Sequence, residues 1–165
     1  KNMFMKKGLL TLAAATCLFG LASCSSAPST EGFDPNEGEF EKKDLTLALV
    51  GDFKVEGLPS WDPAGSQDTA ALKLHKDETR DGIYTITFDI ATDAQFKVIA
   101  GRAWGAPDYG FAKVDTEKST AAKIKEAGGN IAIVEGGKMT LDFYEYPFLN
   151  SDKINPDKTL IITIE

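Results

Sequence analysis

The chain has 165 residues, with 18 Lys and Arg against 25 Asp and Glu, and a net charge of −7 at neutral pH. That balance excludes a nucleic-acid partner, which requires a basic face, and excludes electrostatic docking on anionic lipid. A single histidine, His75, excludes a multi-histidine zinc centre, while a neutral ligand such as a sugar stays compatible with the charge.

The N-terminus reads as a secretory signal. Lys6 and Lys7 precede an apolar run from Gly8 to Gly20, which ends in Leu21-Ala22-Ser23-Cys24. The run is shorter than the ~20 residues of a membrane-spanning helix. Leu-Ala-Ser-Cys resembles a bacterial lipobox, which implies cleavage before Cys24 and lipidation of its sulfur. Ser25 in the next position, rather than an aspartate, implies the outer membrane. Residues 1–23 are thus expected to be a lipoprotein signal peptide. The remaining chain carries 15 basic and 25 acidic residues, net −10. Cys17 falls in the signal, so apart from Cys24 the mature chain has no thiol for a disulfide, a nucleophile or a metal.

Residues 24–43 are rich in Ser, Pro, Gly and Glu, with Phe33 and Phe40 as the large apolar residues, and read as a lipidated flexible tether. Residues 44–165 then hold one domain of ordinary size. Leu45 to Val50 is the first strand expected. Ile83 to Ile90 alternates, with Tyr84, Ile86, Phe88 and Ile90 toward a core and Ile83, Thr85, Thr87 and Asp89 away from it. Ala94 to Ala100 places Phe96, Val98 and Ala100 on one face. Thr120 to Ala127 is the one segment expected to be helical, for a turn or two. Asn130 to Val134 and Lys138 to Tyr146 are expected to pair as a hairpin closed by Glu135-Gly136-Gly137. Thr159 to Glu165 is the last strand. Short strands, Gly-rich turns and no long helix predict an all-β fold, an antiparallel immunoglobulin-like β-sandwich of about 6–8 strands.

Two aromatic groups do not look like core. Trp61 lies in Pro59-Ser60-Trp61-Asp62-Pro63, and Trp104 lies between Gly101 and Gly105. An indole offers a broad apolar face and one N–H donor, suited to stacking on the C–H face of a sugar ring. The alternative is that each Trp plugs one end of the sandwich. The acidic loop residues Asp77, Glu78, Asp81, Asp152 and Asp157 match no calcium-loop spacing and read as a solvated face. His75, between lysines, reads as surface. No carboxylate pair marks a glycosidase, no phosphate loop is present, and no cofactor or metal is expected.

Taken in order, Val50-Gly51-Asp52-Phe53, Trp61-Asp62-Pro63, Asp81-Gly82-Ile83-Tyr84, Phe96-Lys97-Val98, Trp104, Tyr109-Gly110, Gly128-Gly129-Asn130-Ile131 and Met139 to Tyr144 resemble an α-glucan-binding β-sandwich module. Such modules accompany amylases and pullulanases and form the binding domains of Bacteroidetes starch-utilisation outer-membrane lipoproteins of the SusE/SusF type. The resemblance covers residues 45–146. It implies a non-catalytic site in which two rings match the curve of an α-1,4-glucan and a basic residue bonds its hydroxyls. By motif, Trp61 and Trp104 would be the platform and Lys97 the donor, with Tyr109, Arg102, Asp108 and Asn130 as further contacts. The Lys54–Ser60 segment lengthens the usual spacing and leaves two placements for Trp61, in the site or in the core. The resemblance further implies a lipid-anchored protein at the cell surface, working with a TonB-dependent transporter complex. The reading set against it is a structural or protein-interaction subunit of an outer-membrane assembly without glycan binding.

Overall fold

A computed structural model describes residues 44–146 and 154–165. The expected signal peptide, Cys24 and the tether lie outside the described residues.

The domain is a β-sandwich. Its strands are β1 (Ala48–Asp52), β2 (His75–Lys76), β3 (Ile83–Ile90), β4 (Gln95–Ile99), β5 (Asp108–Tyr109), β6 (Ile124–Ala127), β7 (Asn130–Ile133), β8 (Gly137–Tyr144) and β9 (Leu160–Ile164). One sheet runs β1-β4-β7-β6, with β5 also on β4; the other runs β2-β3-β8-β9. Every strand pair is antiparallel. Among the described residues there are nine strands, more than expected, because β2 and β5 are two-residue strands that no sequence period marks.

Alternation builds one core between the sheets. Leu47, Leu49, Phe96, Val98, Ile131 and Ile133 project from the first sheet, and Tyr84, Ile86, Met139, Leu141, Phe143 and Ile162 from the second. Phe53 joins the layers, stacking on Phe96 at 6.4 Å and meeting Phe88 edge-on at 5.5 Å. Ile83 faces away from this core as expected, yet it is not exposed. It is buried with Tyr144 and Ile154 in a second, smaller cluster on the other face of that sheet.

Two further expectations are corrected. β7 and β8 are not a hairpin but lie in different sheets, and the residues between them carry the chain across the sandwich. The tight hairpin joins β6 to β7, where Gly128 and Gly129 both take positive φ (60° and 90°), as a two-residue turn of this hand requires. Gly136 serves a different need: a side chain there would run into the backbone of Ile90 and Thr92. The expected helix at 120–127 is a single 3₁₀ turn (Ala121–Lys123) followed by β6. The α-helical segment is α1, Pro63–Gln67. Asp62 caps it by accepting from Gly65 N at 3.1 Å, and Pro63 opens its first turn.

On the outer side of the second sheet, Arg80 bridges Asp77 and Asp142, each at 2.8 Å, and Thr85 Oγ1 donates to Asp142 at 2.7 Å. The loop before β3 is thereby pinned to β8. Hydrogen bonds from Arg80 and from the Thr79 and Arg80 amides hold the Asp77 carboxyl well below the usual carboxylate range. Because the folded value is the depressed one, this stabilisation is complete above the usual carboxylate range and is lost as pH falls through the depressed value. Arg80→Gln should lower the urea midpoint at neutral pH, and its deficit should shrink below about pH 4, read from urea titrations across the acid range. A deficit independent of pH would detach Arg80 from the Asp77 titration.

Candidate functional site

The candidate site lies on the outer face of the first sheet, where two loops converge. On β4, Phe96 and Val98 point into the core, so Gln95, Lys97 and Ile99 point outward. The outer face is covered at one end, since Ala48, Val50 and Ile99 are fully buried there. α1 lies against β1 and supplies that cover.

Trp61 enters from the segment between β1 and α1. Its amide donates to Gly51 O at 3.0 Å, which hangs it on the free edge of β1, beside the Val50–Lys97 register pair. Its φ is +50°, in the left-handed region. A bulky L-residue there costs of order 1–2 kcal/mol, and such strain concentrates at functional positions. Trp104 enters from the β4–β5 connection. Ala100 N donates to Pro107 O at 2.9 Å as the last rung, and Ala106 N donates to Ala103 O at 3.0 Å, closing a turn with Trp104 and Gly105 at its tip. The two indoles meet at 6.4 Å between ring centroids with their planes 36° apart. Trp104 is 48% exposed. Trp61 is half-buried, stands against Trp104 and is not a member of the core cluster.

Lys97 lies on the same face and pairs with Asp108 at 3.3 Å, both side chains being partly open to solvent. Its stem crosses Gly110, where a Cβ would stand 3.4 Å from Lys97 Cε. Arg102, more than half exposed, is engaged by a carboxylate of the protein. It grips Asp68 with two hydrogen bonds, at 2.7 and 3.0 Å. The Arg102 bonds hold the Asp68 carboxyl below its ordinary value, and Asp68 raises Arg102 in turn. Asn130 is committed to Gln95 at 3.3 Å, on β7 and the outer end of β4. Tyr109 stands opposite Val98 and so turns toward the core, edge-on to Phe143 at 4.8 Å. Burial pushes its hydroxyl pKa up. Tyr109 therefore belongs to the packing under the site and does not share the outer face of Lys97.

Three residues enter that motif matching did not single out. Asp62 caps α1. Gln67 is 7% exposed, and its carboxamide N–H groups reach Thr46 O, Gly101 O and Ile99 O at 3.0, 3.2 and 3.4 Å while Lys73 donates to its oxygen. Asp68 holds Arg102. For the first, Asp followed by Pro is a helix-start signal; for Gln67 and Asp68 the sequence holds no signal, because apart from Lys73 their partners lie 21–34 residues away. Among the described residues, no group of three or more His, Cys, Asp or Glu converges on a point that suits a metal ion.

No family model matches the chain, and no curated protein matches it. Two solved structures align with it. SusF from Bacteroides thetaiotaomicron is 20% identical with a TM-score of 0.48, over 74% of this chain and 25% of that one. Pullulanase from Bacillus acidopullulyticus is 18% identical with a TM-score of 0.40, over 62% of this chain and 10% of that one. This chain spans a quarter or less of either protein. The class of the fold, an all-β sandwich, rests on the strand pairing itself.

The strain at Trp61 is open to test. Trp61→Gly and Trp61→Ala both remove the ring, but only glycine takes a positive φ freely. Trp61→Gly should be about 1 kcal/mol more stable than Trp61→Ala by urea denaturation. Equal stabilities would mean that the backbone at this position is unstrained.

Proposed function

We propose that this domain binds α-glucan without transforming it, stacking the sugar rings on Trp61 and Trp104 while Lys97 donates to hydroxyls. The observation that carries the proposal is the indole pair. Two tryptophans from separate loops meet 6.4 Å apart, tilted by 36°, with Trp104 half open to solvent and Trp61 held there against its backbone preference. Rings tilted in this way suit a curved chain of sugars better than a flat ribbon. The ordered motifs shared with α-glucan-binding modules support the same ligand.

Binding without turnover is supported by the carboxylates of these segments. Asp62 caps a helix, Asp68 is held by Arg102, and Asp108 is paired with Lys97. A glycosidase needs one carboxyl kept protonated at neutral pH. Asp68 is shifted the opposite way. Individual stacking and hydrogen-bond contributions are of order 1 kcal/mol, which for one site gives an affinity in roughly the micromolar to millimolar range. The same proposal places the protein at the outer membrane, tethered through a lipid on Cys24, with its domain at the cell surface beside a TonB-dependent transporter to which captured glucan is delivered.

Residues 25–165 should be retarded in native gels containing amylopectin or pullulan, and should migrate freely in gels containing xylan or no polysaccharide. Trp104→Ala should abolish the retardation while changing stability by no more than about 1 kcal/mol, as expected for a half-exposed ring. Equal mobility in all gels would remove the α-glucan assignment; a large loss of stability would make Trp104 a packing residue. The anchor is tested separately. Full-length protein should incorporate labelled fatty acid and fractionate with outer membrane, and Cys24→Ser should do neither.

A further inference from the structure

We infer that Gln67 and Asp68 are positioning residues that set the angle between Trp61 and Trp104, and with it the discrimination between curved and extended glucans, an inference that rests on the glycan-binding reading of the ring pair.

The sheet ties the two indole segments together only at their bases, by Trp61 N on Gly51 O and by the Ala100–Pro107 rung. Trp61 precedes the cap of α1, and Trp104 sits at the tip of the β4–β5 hairpin beyond its last rung. α1 joins them. At five residues it is about 7.5 Å long. Its entry is anchored by the Trp61 amide on Gly51 O and by the Asp62 cap. Its exit presents Gln67 and Asp68, and both reach the hairpin. Gln67 bonds the carbonyls of Ile99 and Gly101, where the hairpin leaves the sheet. Asp68 holds both terminal nitrogens of Arg102, two residues before Trp104. The helix is therefore a short bracket with one ring at its start and the loop of the other clamped at its end.

Local preference does not account for Asp68. It is the C-terminal cap of α1, where the helix dipole disfavours a carboxylate. A residue that breaks its local rule is expected where a tertiary role compensates. The two-pronged guanidinium contact supplies that role, and its planar geometry fixes orientation as well as distance. Gln67 shows the same logic in a buried setting. Its amide oxygen is satisfied by Lys73, so neither end of the side chain is free to rotate away. Slack in this bracket would leave both rings present and change their mutual angle. Affinity for a flexible linear chain, which adapts, should then fall less than affinity for a closed ring of sugars, which cannot.

The test uses the mature chain carrying Asp68→Ala, Arg102→Ala, Gln67→Met, or Asp68→Arg together with Arg102→Asp. Circular dichroism reads the exciton couplet of the indole pair without any ligand, with Trp104→Phe defining its absence. Calorimetry reads affinity for α-cyclodextrin against linear maltohexaose. Asp68→Ala and Arg102→Ala should each reduce the couplet by about half, lower the cyclic-to-linear affinity ratio by about threefold or more, and leave the melting temperature close to wild type, with the charge-swapped pair recovering both signals in part. An unaltered couplet overturns the inference. So does an altered couplet with an unaltered ratio in a protein that binds both sugars. A couplet that collapses in a protein binding neither sugar upholds the bracket as the device that sets the ring angle and removes the glucan reading instead. If Gln67→Met fails to fold, the exposed Asp68 and Arg102 variants decide.

Discussion

Strand β4 is paired along its whole length with β1, while its other edge is divided: Gln95 and Phe96 bond β7, and Val98 and Ile99 bond β5. The rest of the site follows from that division. Because strand side chains alternate, Phe96 and Val98 must enter the core if Lys97 is to leave it. A register shift of one residue would bury Lys97 and expose Phe96, so the core enforces the register that the site uses. The division also sorts β5. Tyr109 stands opposite Val98 and turns inward, whereas Asp108 stands opposite Ile99 and turns outward to meet Lys97. The connection that carries Trp104 exists because β4 bends back on itself there to form β5.

The other half of the site depends on β1 being an edge. Beyond it lies only an isolated bridge from Ala48 to Lys73, and farther along the same edge Gly51 O receives Trp61 N. Glycine is required at that position for a separate reason, since a side chain would collide with the backbone of Gln95 and Phe96 on β4. The apolar run Leu47–Val50 has no period-2 alternation, and both of its faces are buried. Leu47 and Leu49 face the common core. Ala48 and Val50, equally buried, lie on the opposite face against the segment that includes α1. The cover that hides these residues is the same segment that delivers Trp61, so one stretch of chain both protects an edge strand and builds the binding face.

Legibility in the sequence followed the range of the interactions. β3, a clean alternation, was readable to the residue, and β4, β8 and β9 within one or two. The failed hairpin shows where such reading stops. Gly128-Gly129 and Gly136-Gly137 look alike in sequence, yet the first pair is there for positive φ and Gly136 for close approach to another strand. Only the second role depends on tertiary neighbours, and only it was misread. α1 was missed although Asp62-Pro63 announces a helix, because five residues show no amphipathic period. The loop placement of the two tryptophans was legible from their flanking residues, and the outward direction of Lys97 from alternation. Arg102, Asn130 and Tyr109 were visible as residue types but not as partners of Asp68, Gln95 and Phe143. Those pairings cross 34 or 35 residues, and no local pattern encodes them.

The charge arrangement around the rings narrows what they can hold. Lys54 is paired with Asp52, Lys97 with Asp108 and Arg102 with Asp68, so each of these three cations is already neutralised within the protein. An anionic glycan would have to displace a carboxylate from one of them and leave it facing the ligand's own charge. A neutral sugar meets no such conflict. Lys97 retains N–H donors beyond its single bond to Asp108, and a hydroxyl can accept one without breaking the pair. The apolar indole faces then contribute through shape, not charge. Shape in turn is held by the bracket and by a strained backbone at Trp61, both set during folding. On the proposed glycan-binding reading, the site would contribute mainly the exclusion of water from two tilted rings, because their ordering is complete beforehand.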